Sequence, residues 1–268
     1  MRLLTWNILH GGGPKRLPEI ILSLLAHQPD VVVLTEFRVS RGSSIRAALN
    51  DHGLEFHLTS RSSERVNGIL LASRTPVEPV VVPGAPGNGR WLAAYLPEHG
   101  GLTVAGVHVP DDADAPGKKA FWQFLLATAK LWTTQDAVIL GDFNTSRRGV
   151  DGGPKSQRCS KLLENLLGLG YADAWRACNP EKAEFSWFSH DGQGWRIDTA
   201  FLSPPVQKML QKAWYSQVER EAKHSDHAPL LLDLAVAAVV HDAAEAPAKA
   251  PNHRHRAGLF GGAASPAN

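Results

Sequence analysis

Short apolar runs that stop abruptly at a polar residue recur along this chain, and they constrain its fold more than any other feature. The clearest is Ala137-Val-Ile-Leu-Gly-Asp-Phe-Asn-Thr145. Val138, Ile139 and Leu140 read as a buried strand, because β-branched residues dominate and the run is too short for a 3.6-residue repeat. Gly141 lets the backbone bend without a Cβ clash, so Asp142 and Asn144 emerge at the strand end on one side of the chain. The same residues would also make a β-turn in which Asp and Asn hydrogen-bond their own backbone. The other runs decide between the two. Arg2–Trp6 stops beside Asn7, Asp30–Leu34 beside Glu36 and Leu102–Val107 beside His108; the strand-like stretch Trp195–Leu202 carries Asp198, and Ala228–Leu234 follows Asp226 and His227.

Between these runs lie helical patterns. Leu17–Ala26 has helical periodicity and ends before Pro29, which makes strand, helix, strand of the first 34 residues. Further helices are expected over Lys118–Trp132 and Ser160–Leu167, the latter closed by Gly168 and Gly170. Asn67–Leu71 and Trp91–Leu96 read as sheet, with the Pro and Gly residues of Pro83–Gly89 in the loop between them. Many strands with unevenly inserted helices imply an α/β fold of two mixed sheets packed together and flanked by helices, in place of a regular βαβ alternation. The 268 residues suffice for one large domain, expected over 1–240, and a charged fraction of 20% excludes a coiled coil or a disordered chain. From His241 to Asn268 the composition turns to Ala, Pro, Gly and His, which is expected to form a flexible low-complexity tail. A net charge of only +2 excludes a global polybasic field, so any nucleic-acid contact must come from local clusters. Two cysteines, Cys159 and Cys178, read as free thiols of a reducing compartment, and no signal-peptide or membrane-spanning pattern is present; a cytoplasmic protein with no obligate protein partner is expected.

If the strand ends share one rim, several carboxylates, two amides and two imidazoles converge there. That is a costly arrangement unless a divalent cation and an anionic ligand neutralise it. Oxygen-rich ligation suits Mg²⁺ or Mn²⁺ better than zinc. A metal, a general base and an imidazole together describe phosphoester hydrolysis. The segments TWN (5–7), TE (35–36), GDFN (141–144), WRID (195–198) and SDH (225–227), in that order, resemble the endonuclease/exonuclease/phosphatase superfamily. The C-terminal half, with FSWF ahead of WRID and SDHAPLLLDL after it, is most similar to the exonuclease III class of apurinic/apyrimidinic (AP) endonucleases.

That resemblance implies a four-layer α/β/β/α sandwich and metal-dependent cleavage of DNA, at abasic sites in duplex and with 3′–5′ exonuclease or 3′-end trimming. The alternative within the superfamily is a phosphatase or phosphodiesterase for a small or lipid phosphoester. It assigns Glu36 as metal ligand with Asp226 assisting, and Asp142 as the group that orients or deprotonates water. Asn7 and Asn144 become amide donors, and His227, paired with Asp198, faces a nonbridging phosphate oxygen. His108, in the segment VHVP, stands where the AP endonucleases usually carry tyrosine and resembles the phosphatase and sphingomyelinase branches. Leu9 and Thr35 also depart from the AP-endonuclease pattern. Trp187, Phe188 and Trp195 are candidates for an abasic-sugar wall, although aromatic residues serve a core equally well. Arg90 and the cations after GDFN, namely Arg147, Arg148, Lys155 and Arg158, are candidates for phosphate contact, or else a solvated loop.

Overall fold

A computed structural model of the chain describes residues 1–60, 63, 66–153 and 158–235; Lys155 and the expected tail lie outside them. One six-stranded sheet runs in the order β13 (Leu210–Tyr215), β14 (Leu230–Leu234), β1 (Arg2–Asn7), β2 (Val31–Phe37), β4 (Gly68–Ser73), β3 (Phe56–Thr59). The other runs β5 (Glu78–Pro79), β6 (Trp91–Leu96), β7 (Leu102–His108), β8 (Ala137–Asp142), β12 (Asp198–Leu202), β9 (Ala172–Asp173). β1–β2 and β7–β8 are parallel and the other pairs antiparallel, so both sheets are mixed. The crossovers that make those parallel pairs possible are the helices α1 (Gly13–Ala26) and, with α2 (Gly42–Asp51) preceding it in the chain, α3 (Ala115–Leu131).

The strands are apolar on both faces because each sheet is covered twice. Val31 and Val33 of β2 meet Val104, Val138 and Leu140 between the sheets, whereas Val32 and Leu34 face Ile20, Leu24, Ile45 and Leu49 of α1 and α2. Ala105, Val107 and Ile139 face Phe121, Trp122 and Leu125 of α3 and Leu163 and Leu166 of α4 (Ser160–Gly168). The result is the four-layer α/β/β/α sandwich. Full burial of each such side chain contributes about 1.5–3 kcal/mol, so the layer between the sheets is the largest single contributor and the two outer layers together add at least as much again. The sheets approach closely at Gly106, where a Cβ would stand 2.7 Å from Val33 Cγ1.

The structure corrects several expected boundaries. α1 starts four residues early, with Pro14 in its first turn, where there is no N–H bond for proline to forfeit, and with Pro18 inside it. α2 is new; only Ile45 and Leu49 among its buried residues carry an apolar periodicity, too little to read. The expected strand Trp195–Leu202 is broken. β11 (Gly194–Trp195) pairs with β10 (Trp187–Phe188) in a separate ribbon, and the backbone between it and β12 is diverted to other partners. Arg196 N donates to Asp151 O at 2.8 Å, and Ile197 N and Asp198 N both donate to Ser186 Oγ at 3.1 Å. β14 starts at Leu230, two residues late. Short helices α5 (Ala174–Cys178) and α6 (Val218–Glu221) complete the described residues, none of whose helices is long and apolar enough to cross a membrane. Both cysteines are free.

Candidate active site

The polar strand ends do share one rim. In the second sheet His108 stands level with Asp142 across β7–β8, and Asp142 level with Asp198 across β8–β12. In the first, Asn7 ends β1 beside Thr35 of β2, and the next residue, Glu36, is turned into the cleft by a bulge and a left-handed φ of 55°. Gly141 makes the Asp142 position possible: its φ is 142°, and a Cβ there would lie 2.0 Å from Val107 O. Asn7, His10, Glu36, Asn67, Arg90, His108, Asp111, Asp112, Asp142, Asn144, Trp187, Ile197 and His227 line a cleft of about 450 Å³.

Asp142 is held from two sides. Asn7 Nδ2 donates to its Oδ2 at 3.0 Å and Asn144 N donates to its Oδ1 at 2.9 Å. Asn144 itself is left-handed, with φ 43°, and is anchored through Nδ2 to Val109 O at 2.9 Å and through its carbonyl to the buried Lys118 ammonium. Lys118 in turn pairs with Asp112 at 2.5 Å. Burial, and then repulsion from Asp198, raise the Asp142 carboxyl to about 7, against the pull of His227 and the amide donors.

His227 Nδ1 lies 2.8 Å from Asp198 Oδ2, both nearly inaccessible. Burial pushes the imidazole down, but the charge and hydrogen bond of Asp198, with help from Asp142 and Asp226, outweigh it and hold the ring at about 10. His108 goes the other way. Burial, and then the charges of Arg90 and His227, lower it well below the ordinary histidine value and keep it neutral. Its Nε2 faces Asp142 Oδ2 at 3.8 Å and Glu36 Oε1 at 4.0 Å. Ser225 ties the His227 loop to β1, since its Oγ donates to Asn7 O at 2.6 Å, and Trp6 Nε1 donates to His227 O at 2.8 Å.

Not every expected residue reaches the cleft. Asp226 lies outside its lining, in an adjoining depression with Arg16, Phe188, Arg220 and Lys223, and its carboxylate accepts from Trp187 Nε1 at 3.2 Å. Of the three aromatic candidates only Trp187 lines the cleft, joined by Ile197. Phe188 carries Arg220 over its ring at 4.4 Å, and Trp195 packs on Gly152. Arg90 is at the cleft, donating to His108 O at 3.3 Å. Arg147 is engaged elsewhere, pairing with Asp151 at 2.7 Å beside Arg176 and the buried Arg196, which also pairs with Asp173. Arg148 and Arg158 are exposed and outside the lining. His10 and Asn67 were not foreseen, and neither were the positioning contacts of Lys118, expected only as a candidate phosphate contact, and of Ser225, expected only as the first residue of the SDH segment. The only sequence signal for His10 is that it falls three residues after Asn7.

The donor set suits a hard or borderline divalent cation. Glu36 and Asp142 aim carboxylate oxygens into the cleft, Asn7 Nδ2 spans them at 3.4 and 3.0 Å, and the elevated Asp142 carboxyl is a charge in want of a cation. Oxygens and a ring nitrogen of Asp142, Asp198 and His227 also lie within 4.8 Å of one another, although the last two already satisfy each other.

Two packed mixed sheets with such a cleft at their common rim define a phosphoester hydrolase of the exonuclease III-like kind. The chain belongs to the Endonuclease/Exonuclease/phosphatase family, whose sequence profile matches residues 4–227. Among solved structures it is similar to a 3′ phosphatase, a variant of NExo from Neisseria bound to product DNA hairpin, at 26% identity and a TM-score of 0.74 over 87% of this chain and 99% of that one. The 3′-5′ exonuclease NExo from Neisseria meningitidis matches at 26% identity and 0.72, over 87% and 99%. An AP endonuclease from Archaeoglobus fulgidus matches at 22% and 0.75, over 88% and 100%, which speaks to the fold. Comparison with curated proteins finds no match.

Proposed function

We propose that the protein is a divalent-metal-dependent phosphoesterase of DNA that cuts at abasic sites and trims blocked 3′ ends. The observation that carries this reading is the convergence of two buried pairs in one cleft, Asn7–Asp142 and Asp198–His227, each joining one sheet to the other, with Asp142 and Asp198 side by side on adjacent strands. A water between them would meet a carboxylate that can take its proton and a phosphate whose nonbridging oxygen faces an imidazolium.

In the proposed reaction Asp142 takes the proton of the attacking water while Asn7 and Asn144 hold its two oxygens in line. The water oxygen bonds to phosphorus, the bond to the leaving oxygen breaks, and His227, kept protonated by Asp198, stabilises charge on the equatorial oxygens. Glu36 would hold Mg²⁺ or Mn²⁺, which neutralises phosphate charge and assists the leaving oxygen. Trp187 and Ile197 supply an apolar wall for a sugar, and Arg90 a cation for its phosphate. Likeness to the 3′ phosphatase and 3′-5′ exonuclease from Neisseria favours the 3′-end reaction, and Trp187 beside His227 favours room for a base-less sugar.

The neutral His108 in the cleft favours a second reading, a phosphatase or phosphodiesterase for a small or lipid phosphoester. Abasic duplex, duplex with a 3′-phosphate and an inositol phosphate, offered side by side with Mg²⁺ or Mn²⁺, separate the two. Hydrolysis of both DNA substrates with the inositol phosphate spared is expected; turnover of the inositol phosphate alone overturns the DNA assignment.

A further inference from the structure

The geometry points to His10 as a metal ligand beside Glu36, so that the cleft takes a first-row transition cation of the Mn²⁺ class in preference to Mg²⁺. The inference rests on the metal-dependent reading above and deepens it by assigning a residue and a cation preference.

His10 Nδ1 lies 2.6 Å from Glu36 Oε2, and the backbone N–H of His10 donates to the same oxygen at 2.7 Å. The ring is thus fixed against the carboxylate that faces the cleft. On the other side of that nitrogen, Asn67 Nδ2 stands at 3.1 Å, and the orientation of the Asn67 amide is set by Arg38 Nε, which donates to its Oδ1 at 2.7 Å. An amide N–H aimed at Nδ1 requires a lone pair there. That lone pair then faces a carboxylate oxygen with no proton between them. A proton on Nδ1 would serve Glu36 but oppose the Asn67 donor. A cation held jointly by Nδ1 and Oε2 uses both lone pairs, and the Asn67 amide, at the open edge of the cleft, can turn to water.

The backbone bears on the same position. Residues 9 to 13 all have left-handed φ, at 48°, 55°, 72°, 77° and 68°. Glycine occupies 11, 12 and 13, where this conformation is free of strain, yet position 10 carries histidine. Leu9 shares the left-handed conformation, so strain alone does not single out position 10; what distinguishes His10 is that its side chain is held against a carboxylate of the cleft. A second imidazole completes the set, since His108 Nε2 is 4.0 Å from the other oxygen of Glu36. Two imidazoles flanking one carboxylate favour borderline cations, because Mg²⁺ prefers oxygen and water while imidazole bonds more strongly to later divalent metals.

The test is direct binding to the whole chain without substrate. Mn²⁺ is followed by the loss of its free electron-paramagnetic signal, Co²⁺ by its visible absorption and Mg²⁺ by calorimetry. His10→Gly relieves the strained backbone, and His10→Asn keeps a residue that tolerates it. Both variants are expected to melt at or above the wild-type temperature while Mn²⁺ and Co²⁺ affinity falls about tenfold or more and Mg²⁺ affinity stays within about twofold. Unchanged or tighter Mn²⁺ binding in these variants would overturn the inference and make His10 a competing partner of Glu36, leaving the metal-dependent reading intact. Wild-type protein that binds none of the three cations would overturn both.

Discussion

Replacing Asp198 with asparagine strips the buried His227 of its counter-charge while preserving the shape of the pair, and the consequence can be worked through. Asp198 supplies the charge and hydrogen bond that overcome burial and hold the imidazole at about 10. Without it, burial dominates and the ring should titrate below its ordinary value of 6.5. A displacement of that size corresponds to on the order of 4–5 kcal/mol. In the proposed reaction His227 acts protonated, so the rate is lost as pH rises through the value of this group. In the wild type that descending limb falls near pH 10; in Asp198→Asn it moves below neutrality. At pH 7.5 the imidazolium fraction drops to about a tenth or less, and kcat/KM on a 3′-phosphate duplex should fall in proportion, by about tenfold or more, with part of the loss recovered near pH 5.5–6. The assay is the pH profile of kcat/KM for both proteins at saturating metal, with the His227 tautomer and charge followed by nitrogen NMR. A variant that keeps a descending limb near pH 10, or whose deficit is constant from pH 5.5 to 8.5, would refute the reasoning.

Three further outcomes are expected. Glu36→Gln should abolish turnover at limiting metal and recover a little of it in excess metal, and full activity of the wild type in EDTA would contradict the role. Asp142→Asn should lower single-turnover rates by about 1,000-fold or more while DNA binding is unchanged or slightly tighter, because repulsion from phosphate is relieved; wild-type single-turnover rates would remove Asp142 from the chemistry. Asp151→Ala should lower the urea-unfolding free energy by about 3–5 kcal/mol, since it leaves the buried Arg196 with Asp173 alone. Burial pushes the Asp151 carboxyl up, but Arg196, Arg147 and Arg176 outweigh it and hold it at about 2, so its contribution is present above 3.8 and fades as pH falls through about 2. A loss under about 1 kcal/mol at pH 7 would show that Arg196 relaxes into solvent.

The strand ends were legible because a doubly covered strand must be a continuous apolar run, and the residue that breaks it marks a rim. That logic placed Asn7, Glu36, His108 and Asp142 at the rim; Asp198, expected inside the strand Trp195–Leu202, reaches it because that strand is broken and β12 begins there. It failed where placement depends on backbone twists or distant partners. His10 reaches Glu36 only through consecutive left-handed residues, and Asn67 is oriented by Arg38, 29 residues away. The guanidinium of Arg147 is claimed by a carboxylate that also serves Arg176 and Arg196, which a local charge count cannot reveal. Phe188 misses the cleft for a simpler reason: it follows Trp187 on a two-residue strand, and neighbours on a strand point to opposite faces. β3 and β13 escaped notice as edge strands whose exposed polar residues interrupt the apolar pattern.

The pairing of β1 with β14 sets when, as well as where, the cleft can exist. Arg2 stands opposite Asp233, and the peptide oxygens of Asn7 and His227 are held by Ser225 and Trp6, each across more than 200 residues of chain. Growing from its first residue, the polypeptide would carry Asn7, Glu36 and Asp142 long before their partner imidazole is made. Until the last strand closes against the first, the carboxylates stand without the imidazole that Asp198 is placed to hold, and a nascent or truncated chain is a scaffold without a reaction.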